Sequence, residues 1–282
     1  MTVAVDHLCH ATAWLMPSSG VWMRWGYRGG VRLRSGAGSC SEGFMSKPLI
    51  VVTGASHGIG RAVAAAFAAE QHPLLLLSRH PVPLDGLSSG QIMSAAVDVS
   101  DYAALEAAVH AAEARHGPTE CLVNCAGFLR IGPLETREPM DTSYEVDVLL
   151  KGVLNGIRVV LGNMKTRNSG TIINVSSIGD RVPGPDGEVY HACKAALRSL
   201  AGSLQKSQAA NNIRVVNVAP GFVKTNIHAE MGISFEEYRE RLGHPDFMGA
   251  DELAEIIMSC WKLPQRICVR DIVVMPTRSD FG

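Results

Sequence analysis

An α/β fold, a single doubly wound parallel sheet with helices on both faces, is what residues 45–282 predict, and three observations carry that expectation. Short apolar runs alternate with helical-period stretches along the whole region. The first apolar run leads through a Gly-rich turn into an Ala-rich stretch, which is the signature of a β-loop-α unit. The 282-residue length and 46% hydrophobic content suffice for one large domain with a well-buried core, or for two small ones.

The first strand is predicted over Leu49–Val52, followed by a helix over Arg61–Glu70. Further strands are predicted at Leu74–Leu77, Ala95–Val99, Cys121–Val123, Thr171–Val175, Arg214–Val218 and Ile267–Met275. Between them lie helical stretches at 102–116, 141–166, 188–209 and 250–262. No internal repeat, low-complexity tract or Pro-rich linker interrupts 45–282, so one domain is the economical reading. The stretch 226–248 breaks the alternation with short polar and helical pieces and is predicted to be a lid over a binding cleft.

Charge and cysteine usage exclude several classes. With 26 Lys+Arg against 27 Asp+Glu the net charge is −1, which offers no electrostatic footprint for nucleic acid or an anionic membrane. A small molecule becomes the default partner. The longest apolar runs, such as Ala62–Ala69, fall short of the ~18 residues of a membrane span, so a soluble protein is expected. Seven Cys form no C-x-x-C pair and no regular framework, which points to a reduced, cytoplasmic chain with neither a disulfide core nor a zinc site. No metal is expected.

Residues 1–44 read differently. They hold three of the four Trp, no Lys, and only Asp6 and Glu42 as acids, with Arg24, Arg28, Arg32 and Arg34 set among Gly and aromatics. No period of two or 3.6 runs through them, so neither helix nor strand is assigned. A transit peptide and an RNA-touching arm both fit the composition, but the reading adopted is a disordered or mis-started extension before Met45-Ser46-Lys47.

Thr53-Gly54-Ala55-Ser56-His57-Gly58-Ile59-Gly60 joins the first strand to the first helix. Its glycines permit a tight turn and close backbone approach while the helix N-terminus faces an anion, so the loop suits a dinucleotide pyrophosphate. After the second strand, where an acid would bond the adenosine ribose of NAD, stand Ser78 and Arg79; an Arg suits a 2′-phosphate, so NADP(H) is expected over NAD(H). His57 offers a second donor. Asp98, with Val99 beside it, either reaches the adenine amino group or is a turn residue before a Ser100 helix cap.

Tyr190 and Lys194 stand four apart on a helical stretch and so share one face. A nearby ammonium favours the phenolate, which lowers a Tyr pKa from about 10 toward working pH. Ser177, after the strand Thr171–Val175, is placed to donate a hydrogen bond to a substrate carbonyl at the same point.

Together with the Asn124-Cys125-Ala126-Gly127 turn and Pro220-Gly221 followed by Thr225, these motifs resemble the short-chain dehydrogenase/reductase family over essentially all of 45–282. The resemblance implies a Rossmann-like domain in which Tyr190 is the general acid/base, Lys194 grips the nicotinamide ribose and Ser177 orients the carbonyl. It also implies that Asn124, Ala126 and Gly127 line the adenosine side and that Val223 and Thr225 meet the carboxamide. Two departures stand out. Leu149 in Val148-Leu149-Leu150-Lys151-Gly152 replaces a family Asn, which implies an altered backbone irregularity and an altered water link from Lys194 to solvent. Cys125 replaces a second Asn and reads as packing, as does Cys193, although a partly exposed thiolate beside Lys194 would be oxidisable.

The ending Ile272-Val273-Val274-Met275-Pro276-Thr277-Arg278 resembles the branch of NADP-dependent serine and 3-hydroxy acid dehydrogenases. A carboxylate substrate would call for a cation near Tyr190, with Arg181, Lys224 or Arg130 available by position. The expected function is therefore an NADP(H)-dependent oxidoreductase acting on a small alcohol or carbonyl substrate. The alternatives are a weakly catalytic, redox-responsive module that binds the cofactor, and a 3-oxoacyl reductase. The resemblance further implies a homodimer or homotetramer formed through the helices at 141–166 and 188–209.

Overall fold

The computed structural model describes residues 47–87, 91–228 and 231–278, together with three short strands nearer the N-terminus. The chain divides between residues 45 and 46 into two units. In the larger one, seven parallel strands form one sheet: β1 (Leu49–Thr53), β2 (Leu74–Ser78), β3 (Ile92–Ala96), β4 (Thr119–Asn124), β5 (Gly170–Val175), β6 (Ile213–Pro220) and β7 (Asp271–Val274). Their spatial order is β7-β6-β5-β4-β1-β2-β3. The order reverses between β1 and β4, so the loops leaving those two strands diverge and open a crevice at the C-terminal edge of the sheet.

Helices cover both faces, which makes the apolar run of β1 buried at every position. Ile50 and Val52 face Phe67 of α1 (Gly58–Ala69) and Ile257 of α7 (Ala250–Lys262), whereas Leu49 and Val51 face Leu105 of α2 (Tyr102–His116) and Ile157 of α4 (Gly152–Arg167). The two-residue period of the strand here separates two cores rather than core from water.

Arg214 of β6 ties one end of this scaffold. It is 5% exposed; its guanidinium donates to the Thr171 hydroxyl at 3.0 Å and to the carbonyls of Cys260, Trp261 and Leu263 at 3.3, 3.0 and 2.8 Å. These carbonyls lie at the C-terminus of α7, where the last turn has no intrahelical donors and a cation is favoured.

Several expected boundaries shift. β3 covers Ile92–Ala96 rather than Ala95–Val99, because Asp98 folds back and accepts from the backbone N–H and hydroxyl of Ser100 at 2.8 and 2.7 Å. The helix cap is Asp101, which accepts from the Ala104 N–H at 3.1 Å, not Ser100. β7 is narrower than Ile267–Met275, since an edge strand has only Asn217–Pro220 of β6 to pair with. The helix expected over 141–166 is broken: α3 (Pro139–Val146) passes into a π-helical turn at Asp147–Lys151 and then into α4.

Among its described residues the lid segment holds the short helix α6 (Phe235–Arg241), started by a capping box between Ser234 and Glu237. Its base is pinched shut where Val223 bridges Met248, with Lys224 N–H donating to Met248 and Met248 N–H to Phe222, both at 2.9 Å. Inside, Phe247 meets Phe235 at 5.1 Å between ring centroids, and His228 stacks on Tyr238 at 5.4 Å.

In the smaller unit, Ala4–Val5, Ala13–Leu15 and Met23–Trp25 pair antiparallel, where the sequence reading assigns no strand. Strands of two or three residues span too little alternation to show a period. The remainder of the extension, expected to be disordered or mis-started, lies outside the described residues. Among the described residues no helix is long and apolar enough to cross a membrane.

Candidate active site

The crevice between the loops after β1 and β4 continues into a cavity of about 790 Å³ that runs under the lid segment. Its floor is the Gly-rich loop. Gly54 has φ +68°, and a Cβ on it would lie 2.7 Å from the Ala126 Cα; a Cβ on Gly60 would lie 2.3 Å from the Gly54 carbonyl oxygen. Both positions therefore require glycine, the first for its left-handed backbone and the second for close packing of the turn on the helix. The Thr53 hydroxyl locks this loop to its neighbour by accepting the N–H groups of Cys125 and Ala126 at 3.0 and 3.1 Å.

The residues present fit a dinucleotide. α1 begins at His57 with no side-chain cap and no acid in its first turn, so its leading N–H groups remain available to an anion. Gly58, φ +55°, leaves the space over the loop open toward Thr225. Of the expected contact residues, Gly54, His57, Gly58, Ile59 and Gly60 line the cavity on the loop side, Gly127 lies beyond β4, and Pro220, Gly221, Val223 and Thr225 follow β6. Ser56 stays in the turn beside them.

Arg79, Asp98 and Tyr144 form a chain of hydrogen bonds next to this floor. Arg79 donates to the Tyr144 hydroxyl at 3.3 Å, which donates to Asp98 at 2.7 Å. Burial works against the Asp98 charge, but the bonds from Ser100 and Tyr144 and the nearby Arg79 outweigh it and hold the carboxyl below its usual range. Tyr144 also stacks on Phe128, with ring centroids 5.8 Å apart. Val99 packs into that same cluster, and the Asn124 amide turns into the sheet to donate to Asn174 at 2.9 Å. Ala126 supplies backbone to the floor rather than a wall of the cavity.

Ser177, Tyr190 and Lys194 come together at the deep end. Tyr190 and Lys194 project from the first turns of α5 (Glu188–Ser207), and Ser177 follows β5 as the cap of a single 3-10 turn, accepting the Gly179 N–H at 3.1 Å. The Lys194 ammonium donates to the Val175 carbonyl at 2.9 Å and lies 5.5 Å from the centre of the Tyr190 ring. Gly127 makes room for Leu149, since a Cβ there would sit 3.0 Å from the leucine Cδ2.

The expected depression of the tyrosine does not occur. Burial pushes the Tyr190 phenol up to about 12, the hydrogen bond with Ser177 pulls it partway back, and the carboxylates of Glu145 and Asp180 add to the rise. Burial also pushes the Lys194 ammonium down to about 8. Desolvation disfavours the charged form of both groups and is the largest cause of each shift.

Burial raises the Cys125 thiol to about 12 and the Cys193 thiol to about 11, so both favour the neutral thiol over the reactive thiolate; Cys193 is buried, whereas Cys125 is half-buried and lines the cavity. The cations proposed by position are engaged elsewhere: Arg181 binds Asp180 at 2.6 Å and Asp271 at 2.9 Å, Arg130 pairs with Asp141 at 2.6 Å, and Lys224 lies over the Phe235 ring. Besides Lys194, Arg241 of α6 lines the cavity, as do Tyr238 and Phe247. His191 lines it as well, its ring packed where side chains on Gly179 and Gly187 would collide with it. Nothing in the spacing of the lid segment singles out Tyr238 or Arg241; their shared face of a short helix, three residues apart, is the only signal.

Leu149 is 1% exposed and packs with Tyr190, Cys193, Leu129 and Tyr238. The backbone irregularity expected to be altered by this residue is present as the π-helical turn.

Comparison with known proteins agrees with this geometry. The short chain dehydrogenase family signature matches residues 48–233. Oxidoreductase UcpA of Salmonella typhimurium is 36% identical over 181 residues, 62% of this chain and 69% of that protein. Glycine betaine reductase ATRR of Emericella nidulans is 29% identical over 245 residues, which is 83% of this chain but 19% of that much longer protein. Among solved structures, the closed form of a serine dehydrogenase complexed with NADP+ superposes with a TM-score of 0.77 at 26% identity, covering 83% of this chain and 97% of that one. A 3-ketoacyl-(acyl-carrier-protein) reductase from Brucella melitensis complexed with NADH gives 0.72 at 26% identity, covering 83% and 98%.

Proposed function

The chain belongs to the short chain dehydrogenase family of oxidoreductases, and on that premise we propose that it is an NADP(H)-dependent enzyme interconverting a secondary alcohol and its carbonyl compound. The observation that carries this reading is the convergence of Ser177, Tyr190 and Lys194 at the end of a cleft floored by a glycine loop and an uncapped helix N-terminus. Bound NADPH supplies a hydride for the carbonyl carbon. Tyr190 gives its phenolic proton to the carbonyl oxygen, Ser177 holds that oxygen by a hydrogen bond, and Lys194 grips the nicotinamide ribose with the protons that Val175 does not take. In the oxidative direction Tyr190 receives the proton. The lid cluster around Phe247 and Tyr238 excludes water from this exchange.

Arg79 supports the choice of NADP over NAD, because its tether through Tyr144 to Asp98 holds a guanidinium beside the expected adenosine site. Arg241 supports a substrate with a carboxylate, such as a small 3-hydroxy acid. A 3-oxoacyl reductase is the second reading, favoured by the likeness to the Brucella enzyme. Against the weakly catalytic module stand the π-helical turn, present with Leu149 in it, and the raised thiols of Cys125 and Cys193. We place the protein in the cytoplasm and assign it a homodimer or homotetramer built on α4 and α5; exposed Leu154 of α4 suits such a face.

The test is oxidation of NADPH and NADH by the purified full chain against small ketones, free 3-oxo acids and their thioesters. Preference for NADPH with free acids supports the reading. Turnover retained in Tyr190→Phe would overturn it. Replacing Arg79 with Ser should lower the NADPH/NADH ratio of kcat/KM by about tenfold or more.

A further inference from the structure

Asp180 is a buried carboxylate, its side chain 0% exposed, at the end of the 3-10 turn Ile178–Asp180 that Ser177 caps, and no step proposed above uses it. Its Oδ2 accepts from the Ser176 hydroxyl at 2.9 Å and from the Asn217 amide of β6 at 3.0 Å, and its Oδ1 accepts from Arg181 Nε at 2.6 Å. Its backbone N–H donates to the Ser177 carbonyl at 2.9 Å, so one residue holds both Ser176 and Ser177. The brace continues outward to the sheet edge, where Asn217 and Arg181 each donate to Asp271 of β7, at 3.0 and 2.9 Å. The Asn217 amide thus serves two carboxylates, while its own Oδ1 is buried with no partner among the described residues. An unmet buried acceptor costs stability, so this orientation is explained by what the amide holds in place rather than by its own bonding.

We propose that Asp180 is a positioning residue for Ser177: through the Ser176 hydroxyl and its own N–H it fixes the turn that aims the Ser177 hydroxyl at the substrate oxygen. The inference rests on the reading of Ser177 as the group that orients the carbonyl. Ser177 Oγ accepts the Gly179 N–H at 3.1 Å, a donor inside the same turn. A hydroxyl that receives an N–H cannot direct its proton along the same line, so the Ser177 proton is turned away from the turn, toward the cavity that Ser177 lines. That aim lasts only while Gly179 stays under the hydroxyl, and Asp180 is the next residue in the chain. Without the carboxylate, Ser176 keeps only a long contact to the Lys194 carbonyl, 3.4 Å, and Arg181 is left to Asp271. The turn then has backbone bonds alone, and a hydroxyl displaced by a fraction of an ångström loses much of its grip on a developing oxyanion. Asp180 acts through Ser177 and takes no proton in the reaction.

The experiment is a double-mutant cycle in the full-length protein: Asp180→Ala and Asp180→Asn, each with Ser177 intact and with Ser177→Ala, in NADPH-dependent carbonyl reduction. Asp180→Ala should lower kcat by about tenfold or more with the KM for NADPH unchanged, and should change kcat by less than about twofold once Ser177 is alanine. Asp180→Asn keeps an acceptor for Ser176 and Asn217 and should restore kcat to within about threefold of wild type. An equal loss in both backgrounds overturns the inference, as does a wild-type kcat in Asp180→Ala or an Asp180→Asn as slow as Asp180→Ala. Hydrogen exchange of the Gly179 amide without substrate gives a reading that needs no turnover. Asp180→Ala should speed that exchange by about tenfold and Asp180→Asn much less, and unchanged protection overturns the role of Asp180. Absence of carbonyl reduction in the wild-type protein would sink the proposed reaction, and the exchange then decides the Asp180 brace by itself. If Asp180→Ala fails to fold, Ser176→Ala removes the hydroxyl that Asp180 holds and takes its place in the cycle.

Discussion

Arg214 and Lys194 are both buried cations, 5% and 6% exposed, held against the same sheet, yet their surroundings differ. Arg214 donates to one hydroxyl and three helix-end carbonyls. Lys194 has one acceptor among the described residues, the Val175 carbonyl, and faces a cavity with the rest of its protons. A charge that serves the fold is saturated with partners because every unmet bond weakens the native state, whereas a charge that serves chemistry keeps capacity for a ligand or for a proton.

The largest expected effect tests the reactive side. Tyr190→Phe should lower kcat/KM by about 10³-fold with little change in thermal unfolding, since the phenol's removal leaves no buried donor unmet. Steady-state kinetics with differential scanning calorimetry reads both quantities, and a loss of folding alongside the activity would blur the distinction. Arg214→Met should do the reverse. It strands three carbonyls at the end of α7 and should cost about 3–5 kcal/mol in urea unfolding, while protein that remains folded keeps its kcat.

Lys194 yields a prediction with a sign. Its ammonium titrates near 8 when folded against 10.5 for the ordinary side chain, so below pH 8 the native state bears the whole cost of a buried charge. Between about 8 and 10.5 the unfolded chain holds a proton that the native state has released, and stability therefore rises with pH through that window. Chemical denaturation of wild type against Lys194→Met should show a differential gain on the order of 3 kcal/mol across it. A flat difference would mean that Lys194 is better solvated than its burial implies.

The smallest effect concerns Leu149. Restoring the family's Asn there should cost about 2 kcal/mol, because the amide enters an apolar cluster of Leu129, Tyr190 and Tyr238. Turnover should change by only a few fold, as the π-helical turn does not depend on that side chain. A large gain in kcat would show that the leucine does impede proton supply.

What could be read from residues alone follows from how local each signal is. Continuous runs such as Leu74–Leu77 announce strands, and the glycine loop announces its turn, since both depend on neighbours in the chain. The end of β3 was misplaced because Asp98 looks like a strand terminus until its bond to Ser100 is known. The break at Asp147–Lys151 is invisible in a stretch whose apolar spacing suits one helix. Glu145, Arg137 and Arg241 escaped for a different reason. Charged residues on amphipathic stretches ordinarily face water, and only the packing of α3 on α5 and the fold of the lid segment turn these three inward or over the cavity. The same holds for Tyr190, whose proposed role is read from its spacing from Lys194 while its rise toward 12 comes chiefly from burial.

The π-helical turn between α3 and α4 is in effect one residue inserted into a helix, and an extra residue rotates everything upstream by about 100° relative to everything downstream. Residues 139–167 thus run as one rod with two phases. The downstream phase sends Val153, Ile157, Val160 and Met164 to the sheet, and the upstream phase buries Glu145. Deleting a single residue from 147–151 would merge the phases, and the rod would have to choose between a buried apolar row and a buried Glu145 paired with Arg137. Insertion and substitution are therefore unequal here: the side chain at Leu149 can change, but the residue count on either side of it cannot.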